Sequence, residues 1–102
     1  MEFPSIIDGK YKVIGKLGGG GFSEVFLVEG ASGRSALKLL KLDVKQDALD
    51  DFRREFEILK DMRHPHIASI LDFGFDGKIG RHYYTSEFVE GTDIYTATKS
   101  FG

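Results

Sequence analysis

The stretch KYKVIGKLGGGGFSEVFLV, residues 10–28, decides the fold. Tyr11, Val13 and Leu17 alternate with lysines before the four glycines, and a second apolar run begins at Val25. This pattern predicts two strands joined by a glycine-rich loop. Consecutive glycines can take positive φ and can approach an anion without interference from a Cβ atom, although many such runs are only flexible hairpin tips. The loop is therefore a candidate phosphate-binding element.

Lys38 lies inside the next apolar segment, which runs from Ala36 to Leu40. A charged amine in an apolar strand costs free energy unless an anion meets it, whereas a lysine on an edge strand only protects that edge. A dinucleotide-binding loop is excluded because it opens a helix, and a Walker A loop is excluded because no Gly-Lys pair precedes Ser or Thr. The order strand, glycine loop, strand and strand-borne lysine predicts a site for a nucleoside triphosphate.

This order resembles the N-terminal lobe of a eukaryotic-type serine/threonine protein kinase, from about residue 11 to about residue 93. Ala36-Leu37-Lys38 is similar to the Val-Ala-Ile-Lys strand of that family. Ser23 departs from the family pattern, which has a third glycine at this position. The resemblance implies an α+β fold: a five-stranded antiparallel sheet with one packed helix, in the order βββαββ.

The resemblance also implies that the bound nucleotide is ATP. The residues expected to contact it in this part of the chain are Leu17, Gly18, Gly19, Gly20, Gly21, Phe22, Ser23, Val25, Ala36 and Lys38. Phe22 would form the tip of the loop, Val25 would cover the adenine, and Lys38 would bind the α- and β-phosphates. The resemblance implies Mg²⁺ only in the complete enzyme, where the C-terminal lobe supplies its ligands.

A helix is predicted from about Asp47, placed as its cap, to Arg63, because apolar residues recur there at helical spacing. At roughly 100° per residue, Glu55 falls within the apolar arc and should face the sheet, with Asp51 as a rival one turn earlier. A buried carboxylate needs a cation, and Lys38 is the nearest candidate. The resemblance agrees and makes Lys38 and Glu55 the catalytic pair of this lobe. Because desolvation offsets much of the attraction, we expect this pair to be partly formed or broken without nucleotide.

Two more strands are predicted, at residues 70–75 and 82–89, with a turn at Asp76-Gly77 between them. Asp72-Phe73-Gly74 spells the metal-binding triplet of kinases, but it lies in the first of these two strands. The functional triplet follows a His-Arg-Asp loop, and this sequence contains no His-Arg-Asp. We therefore predict that this triplet binds no metal and that the chain has no metal site of its own.

Residues 83–91 are similar to the kinase hinge pattern Tyr-x-Val-Met-Glu-Tyr-Val-x-Gly. The resemblance places Ser86 at the gatekeeper position, beside the adenine. Glu87 and Val89 would offer backbone groups to the adenine edge. Asp93 would contact the ribose, although a simple helix cap explains it equally well.

The composition fits one small domain of 102 residues, 41% of them hydrophobic. We expect a loose leader at residues 1–9, the lobe at 10–93, and the truncated start of the first C-lobe helix at 94–102. A net charge of −2 argues against a nucleic-acid surface, and the sequence has no long apolar run that would predict a membrane segment. The lack of cysteine is compatible with a cytoplasmic location, which we expect.

The function implied is the ATP-binding lobe of a serine/threonine kinase that transfers a phosphoryl group to protein hydroxyls in the complete enzyme. The alternative is a pseudokinase or regulatory binding module that retains the lobe. A nucleotide-free interaction domain would leave the strand lysine unexplained. Alone, the chain should be inactive, and the expected partners are ATP, the C-terminal lobe and a protein substrate. A second copy is a further candidate partner, because the surface that the C-terminal lobe would cover should be exposed and apolar.

Overall fold

The computed structural model describes residues 4–31, 33–42, 44–61 and 70–88. The elements are β1 (Ile6–Ile7), β2 (Tyr11–Gly19), β3 (Ser23–Gly30), β4 (Gly33–Leu40), α1 (Gln46–Asp61), β5 (Ile70–Asp76) and β6 (Arg81–Glu87). All strand pairs are antiparallel, in the spatial order β1-β2-β3-β4-β6-β5. The predicted order of three strands, one helix and two strands is confirmed for β2 to β6. No helix in these described ranges is long and apolar enough to cross a membrane.

The strand β1 is an addition to the predicted fold. It lies within the predicted loose leader, yet Ile6 pairs with Lys12 and Ile7 pairs with Tyr11 of β2. Ile7 is fully buried in the core, which explains why this short segment joins the sheet. The count of five strands is therefore corrected to six, and residues 6 and 7 of the leader belong to the sheet.

Asp8, which follows β1, is hydrogen-bonded to the strands at the opposite edge of the sheet. The Asp8 backbone N–H donates to Asp76 Oδ2 at 2.7 Å, and the Tyr83 hydroxyl donates to Asp8 Oδ2 at 2.6 Å. The same Asp76 carboxylate caps the β5–β6 turn by accepting from the backbone N–H groups of Lys78 and Ile79. The two hydrogen bonds of Asp8 join residues that are 68 and 75 positions apart in the chain.

The sheet carries an apolar cluster on each face, because successive residues of a strand point to opposite sides. One cluster consists of Ile7, Phe26, Val28, Leu37, Leu39 and Tyr83. The other lies between α1 and the sheet and consists of Leu40, Phe52, Leu59 and Tyr84. We call the face that carries Lys38 and Tyr84 the helix face.

The helix α1 begins at Gln46, one residue before the predicted start. Asp47 therefore lies in the first turn and is not the cap, although an acidic side chain there still favours the helix. Phe52, Glu55 and Leu59 are its buried residues, at the i, i+3 and i+7 spacing of one helical face. This face packs Glu55 against the sheet as the sequence predicts.

Candidate nucleotide-binding site

Lys38 and Glu55 form an ion pair between the middle of β4 and the buried face of α1. Lys38 Nζ lies 2.5 Å from Glu55 Oε1, and the two side chains are 13% and 9% exposed. The rival carboxylate, Asp51, is exposed and pairs with Arg54 of its own helix at 3.5 Å. The expectation that the pair would be partly formed or broken without nucleotide is wrong for this structure.

A second donor explains why the pair is closed. The Tyr84 hydroxyl donates to the same Glu55 Oε1 that Lys38 contacts, and Tyr84 is 1% exposed. Tyr84 lies directly opposite Lys38 in the β4–β6 register, so both side chains share the helix face. Two donors on one buried carboxylate reduce the desolvation penalty that would otherwise favour opening.

Aromatic packing also holds α1 against the sheet. The Tyr84 ring lies 5.2 Å from the Phe52 ring and 5.8 Å from the Phe56 ring, measured between centroids. Phe73 of β5 completes this group at 4.9 Å from Phe56. Tilted aromatic pairs at these distances add to the free energy gained from burying their area, so movement of α1 would disrupt apolar contacts as well as the ion pair.

Sequence reasoning did not identify Tyr84. The sequence does contain a signal for it. The resemblance assigns Ser86 to the site, and a residue two positions earlier in the same strand shares the face of Ser86. The pair Tyr83-Tyr84 hid this signal, because both residues are aromatic and neither stands out in the pattern.

The glycine run ends β2 and enters the turn that leads to β3, with Gly20 and Gly21 in the turn, in agreement with the strand–loop–strand prediction. The Gly20 N–H donates to the Ser23 carbonyl at 2.9 Å, and the Lys41 Nζ donates to the Gly20 carbonyl at 2.9 Å. The run does not use the positive φ that glycine permits, because the glycines with positive φ in the described ranges are Gly9, Gly33 and Gly80. The run leaves steric room instead, since a Cβ built on Gly20 or Gly21 meets no atom within 4 Å.

Glu24 connects the hairpin to the body of the sheet. Its carboxylate accepts from Arg81 at 2.8 Å and from Lys16 at 3.2 Å, and Arg81 Nε also donates to the Leu40 carbonyl at 2.7 Å. Burial alone would raise the pKa of Glu24, but the hydrogen bonds and charges of Arg81 and Lys16 hold it below its ordinary value. The turn end of the hairpin is thus linked to β4 and β6 by hydrogen bonds of charged side chains.

The residues predicted to surround the adenine lie next to each other on the helix face. Ala36 pairs with Ser86 and Lys38 pairs with Val25, and Val25, Ala36 and Ser86 are each 2% exposed. Glu87 is the last residue of β6 and is exposed. Residues directly opposite in an antiparallel pair share a face, so these side chains form one surface with Lys38.

The remaining predicted residues are less enclosed or lie outside the described ranges. Leu17 is 42% exposed and Phe22 is 64% exposed, on either side of the glycines. Gly18 and Gly19 end β2, paired with Val25 and Glu24, and Ser23 begins β3. The predictions for Val89 and Asp93 fall on residues that the structure does not describe.

The Asp72-Phe73-Gly74 triplet lies within β5, as predicted. Asp72 Oδ2 accepts from the Tyr11 hydroxyl at 3.4 Å. A Cβ on Gly74 would lie 2.5 Å from the Tyr83 hydroxyl oxygen, so glycine is required there for packing. In the described part of the chain, His, Cys, Asp and Glu side chains form no group of three that could hold a metal ion.

Comparison with known proteins gives one consistent result. The chain is 38% identical over 94 residues to the serine/threonine-protein kinase pkn2 of Myxococcus xanthus, covering 88% of this chain and 11% of that protein. It is 36% identical over 92 residues to the serine/threonine-protein kinase PrkC of Bacillus subtilis, covering 86% of this chain and 14% of that protein. No family model matches the chain.

A solved structure shares the fold. The crystal structure of the PknI kinase domain of Mycobacterium tuberculosis aligns with a TM-score of 0.61 and 28% sequence identity. The alignment covers 83% of this chain and 35% of that chain. The chain thus spans only a small part of the curated relatives it matches and about a third of this kinase domain.

Proposed function

We propose that this chain, which has the sequence and the fold of the N-terminal lobe of a serine/threonine protein kinase, binds the adenine and phosphates of ATP for a complete kinase. ATP, when bound, supplies the phosphoryl group that the complete enzyme transfers to a protein hydroxyl. The proposal includes a cytoplasmic location, with the C-terminal lobe and a protein substrate as partners.

The observation that carries the proposal is the closed pair of Lys38 and Glu55 beside the glycine hairpin. In a kinase lobe the strand lysine contacts the nucleotide phosphates and a helix glutamate orients that lysine. Here the Lys38 side chain as a whole is 13% exposed, so it is largely buried but not sealed from solvent. A phosphate oxygen that reaches Lys38 would meet a cation already held in place.

The residues around the pair fit a nucleotide. The open space above Gly20 and Gly21 leaves the backbone of the turn free to approach an anion. Val25 and Ala36 are apolar and Ser86 has a short side chain, and these are residue types that a purine ring would contact. Phosphate, purine and the Lys38 amine would then lie on one continuous face.

The pseudokinase alternative differs in what the rest of the protein does with the nucleotide. A lobe that no longer needs ATP has no reason to keep a lysine and a glutamate paired in a nearly closed environment, because each buried charge carries a desolvation penalty. Retention of the pair therefore favours a nucleotide-binding lobe.

The test is calorimetric titration of the full chain with ATP and Mg²⁺. We expect saturable binding that Lys38→Met abolishes, while Lys12→Met, a change at an exposed lysine of β2, leaves it unchanged. Binding that survives Lys38→Met, or no binding by the parent chain, would contradict the proposal. With labelled ATP and a generic protein substrate we expect no phosphate incorporation, since the sequence contains no His-Arg-Asp loop.

A further inference from the structure

We propose that Tyr84 is a positioning residue that keeps helix α1 and Glu55 in the nucleotide-ready position, an inference that rests on the proposed function. Its hydroxyl would hold the Glu55 carboxylate when the Lys38 ammonium turns toward the phosphates. The residue would act through Glu55, without contacting the nucleotide.

The geometry supports this role because one carboxylate oxygen receives both donors. Lys38 Nζ and the Tyr84 hydroxyl both contact Glu55 Oε1. The Lys38 amine also lies 6.0 Å from the centroid of the Tyr84 ring, within the range of a cation–π contact. The three side chains form one cluster, contributed by β4, α1 and β6.

The hydroxyl is suited to a permanent role as donor. Burial and the neighbouring Glu55 carboxylate raise the pKa of Tyr84, so the phenol stays protonated at neutral pH. A neutral donor stabilises the carboxylate without adding a charge that would compete with Lys38 for phosphate. The lysine can then share its three N–H groups between Glu55 and the nucleotide while Glu55 keeps a partner.

The fold provides a matched control in the next residue. Tyr83 is also buried, is also on β6, and its hydroxyl also donates to a carboxylate, Asp8 Oδ2, at 2.6 Å. It points to the opposite face, into the cluster that contains Ile7 and Leu37. The change Tyr83→Phe removes the same atom as Tyr84→Phe, but at a place remote from the candidate site.

The first experiment measures ATP affinity of the full chain by calorimetry. We expect Tyr84→Phe to weaken binding about threefold to tenfold, as loss of one hydrogen bond of ordinary net strength would. Tyr83→Phe should change the affinity by less than about twofold, because its hydroxyl bond lies on the other face. Equal affinity of the parent and Tyr84→Phe would overturn the inference, as would equal losses in the two variants.

A double-mutant cycle tests whether Tyr84 acts through Glu55. In a Glu55→Gln background, Tyr84→Phe should have a much smaller effect on ATP affinity than in the parent. An undiminished effect would show that Tyr84 acts by general packing and would refute the positioning role. Unfolding curves of each variant check that the protein titrated is folded.

A second experiment needs no nucleotide and separates this inference from the proposed function. The chain has no cysteine, so spin labels can be attached at Glu57→Cys on α1 and Glu29→Cys on β3, both exposed sites. We expect one narrow distance distribution in the parent and in Tyr83→Phe, and a broader one in Tyr84→Phe. An unchanged distribution in Tyr84→Phe would overturn the inference. Broadening in Tyr84→Phe together with a parent that fails to bind ATP would overturn only the proposed function.

Discussion

The two sides of the candidate site are held by different forces. On one side Lys38, Glu55 and Tyr84 are buried and packed among the aromatic rings of α1 and β5. On the other side Glu24, next to the turn of the glycine hairpin, binds Arg81, and the Lys41 side chain contacts the turn itself. One side is thus held mainly by burial and aromatic packing, and the other mainly by hydrogen bonds of charged side chains.

The largest effect should come from breaking the buried pair. Glu55→Ala leaves Lys38 and the Tyr84 hydroxyl without a partner, so we expect a loss of about 3 to 5 kcal/mol in the free energy of unfolding. Asp51→Ala, at an exposed helix position, should change it by less than about 0.5 kcal/mol. Urea denaturation measures both, and similar losses in the two variants would show that the buried side is not the more strongly held one.

A smaller effect should follow from a larger side chain at Ser86, the position proposed to lie beside the purine. Ser86→Phe adds volume at a residue that is 2% exposed. Overpacking of this kind lowers the free energy of unfolding by about 1 to 3 kcal/mol. A bulky purine-substituted ATP analogue should bind the parent better than this variant.

The neighbouring Thr85→Val variant is the control for Ser86. The Thr85 hydroxyl is buried and has no hydrogen-bond partner within the described ranges, so its removal should leave binding of the analogue unchanged. Equal binding of the analogue to the parent and to Ser86→Phe would place the gatekeeper at another residue.

The smallest effect should come from the hairpin side. Glu24→Gln weakens two charged hydrogen bonds, and we expect a loss of about 1 kcal/mol in the free energy of unfolding at neutral pH. The loss should depend on pH, because the pKa of Glu24 lies below its ordinary value of 4.5 in the folded chain. The contribution of Glu24 is present above pH 4.5 and disappears as the pH falls through the folded pKa.

Urea titrations of the parent and Glu24→Gln from neutral pH to acid test this. The two curves of stability against pH should converge on acidification. A constant difference between them at all pH values would mean that the ion contacts of Glu24 do not hold the hairpin.

The sequence predicts the parts of the site that follow from local pattern. Helical spacing places Glu55 on the buried face of α1, and the apolar strand identifies Lys38. Closure of the Lys38–Glu55 pair depends on the balance between the desolvation penalty and a second donor, the Tyr84 hydroxyl. The place of Tyr84 opposite Lys38 is known only from the register of β4 and β6. The Arg81–Glu24 contact joins residues 57 positions apart, a separation over which no periodic pattern carries information. A two-residue strand such as β1 is likewise too short to show a period.

The hydrogen bonds of Asp8 have a consequence for the time course of folding. They join residues 68 and 75 positions apart, to Asp76 and Tyr83, so forming them closes long loops at a greater cost in conformational entropy than a local contact. Contacts of such long range are expected after the folding transition state has been crossed. Changes at Asp8 should therefore accelerate unfolding and leave the rate of folding almost unaltered, which makes this small corner of the lobe a determinant of its lifetime in the folded state.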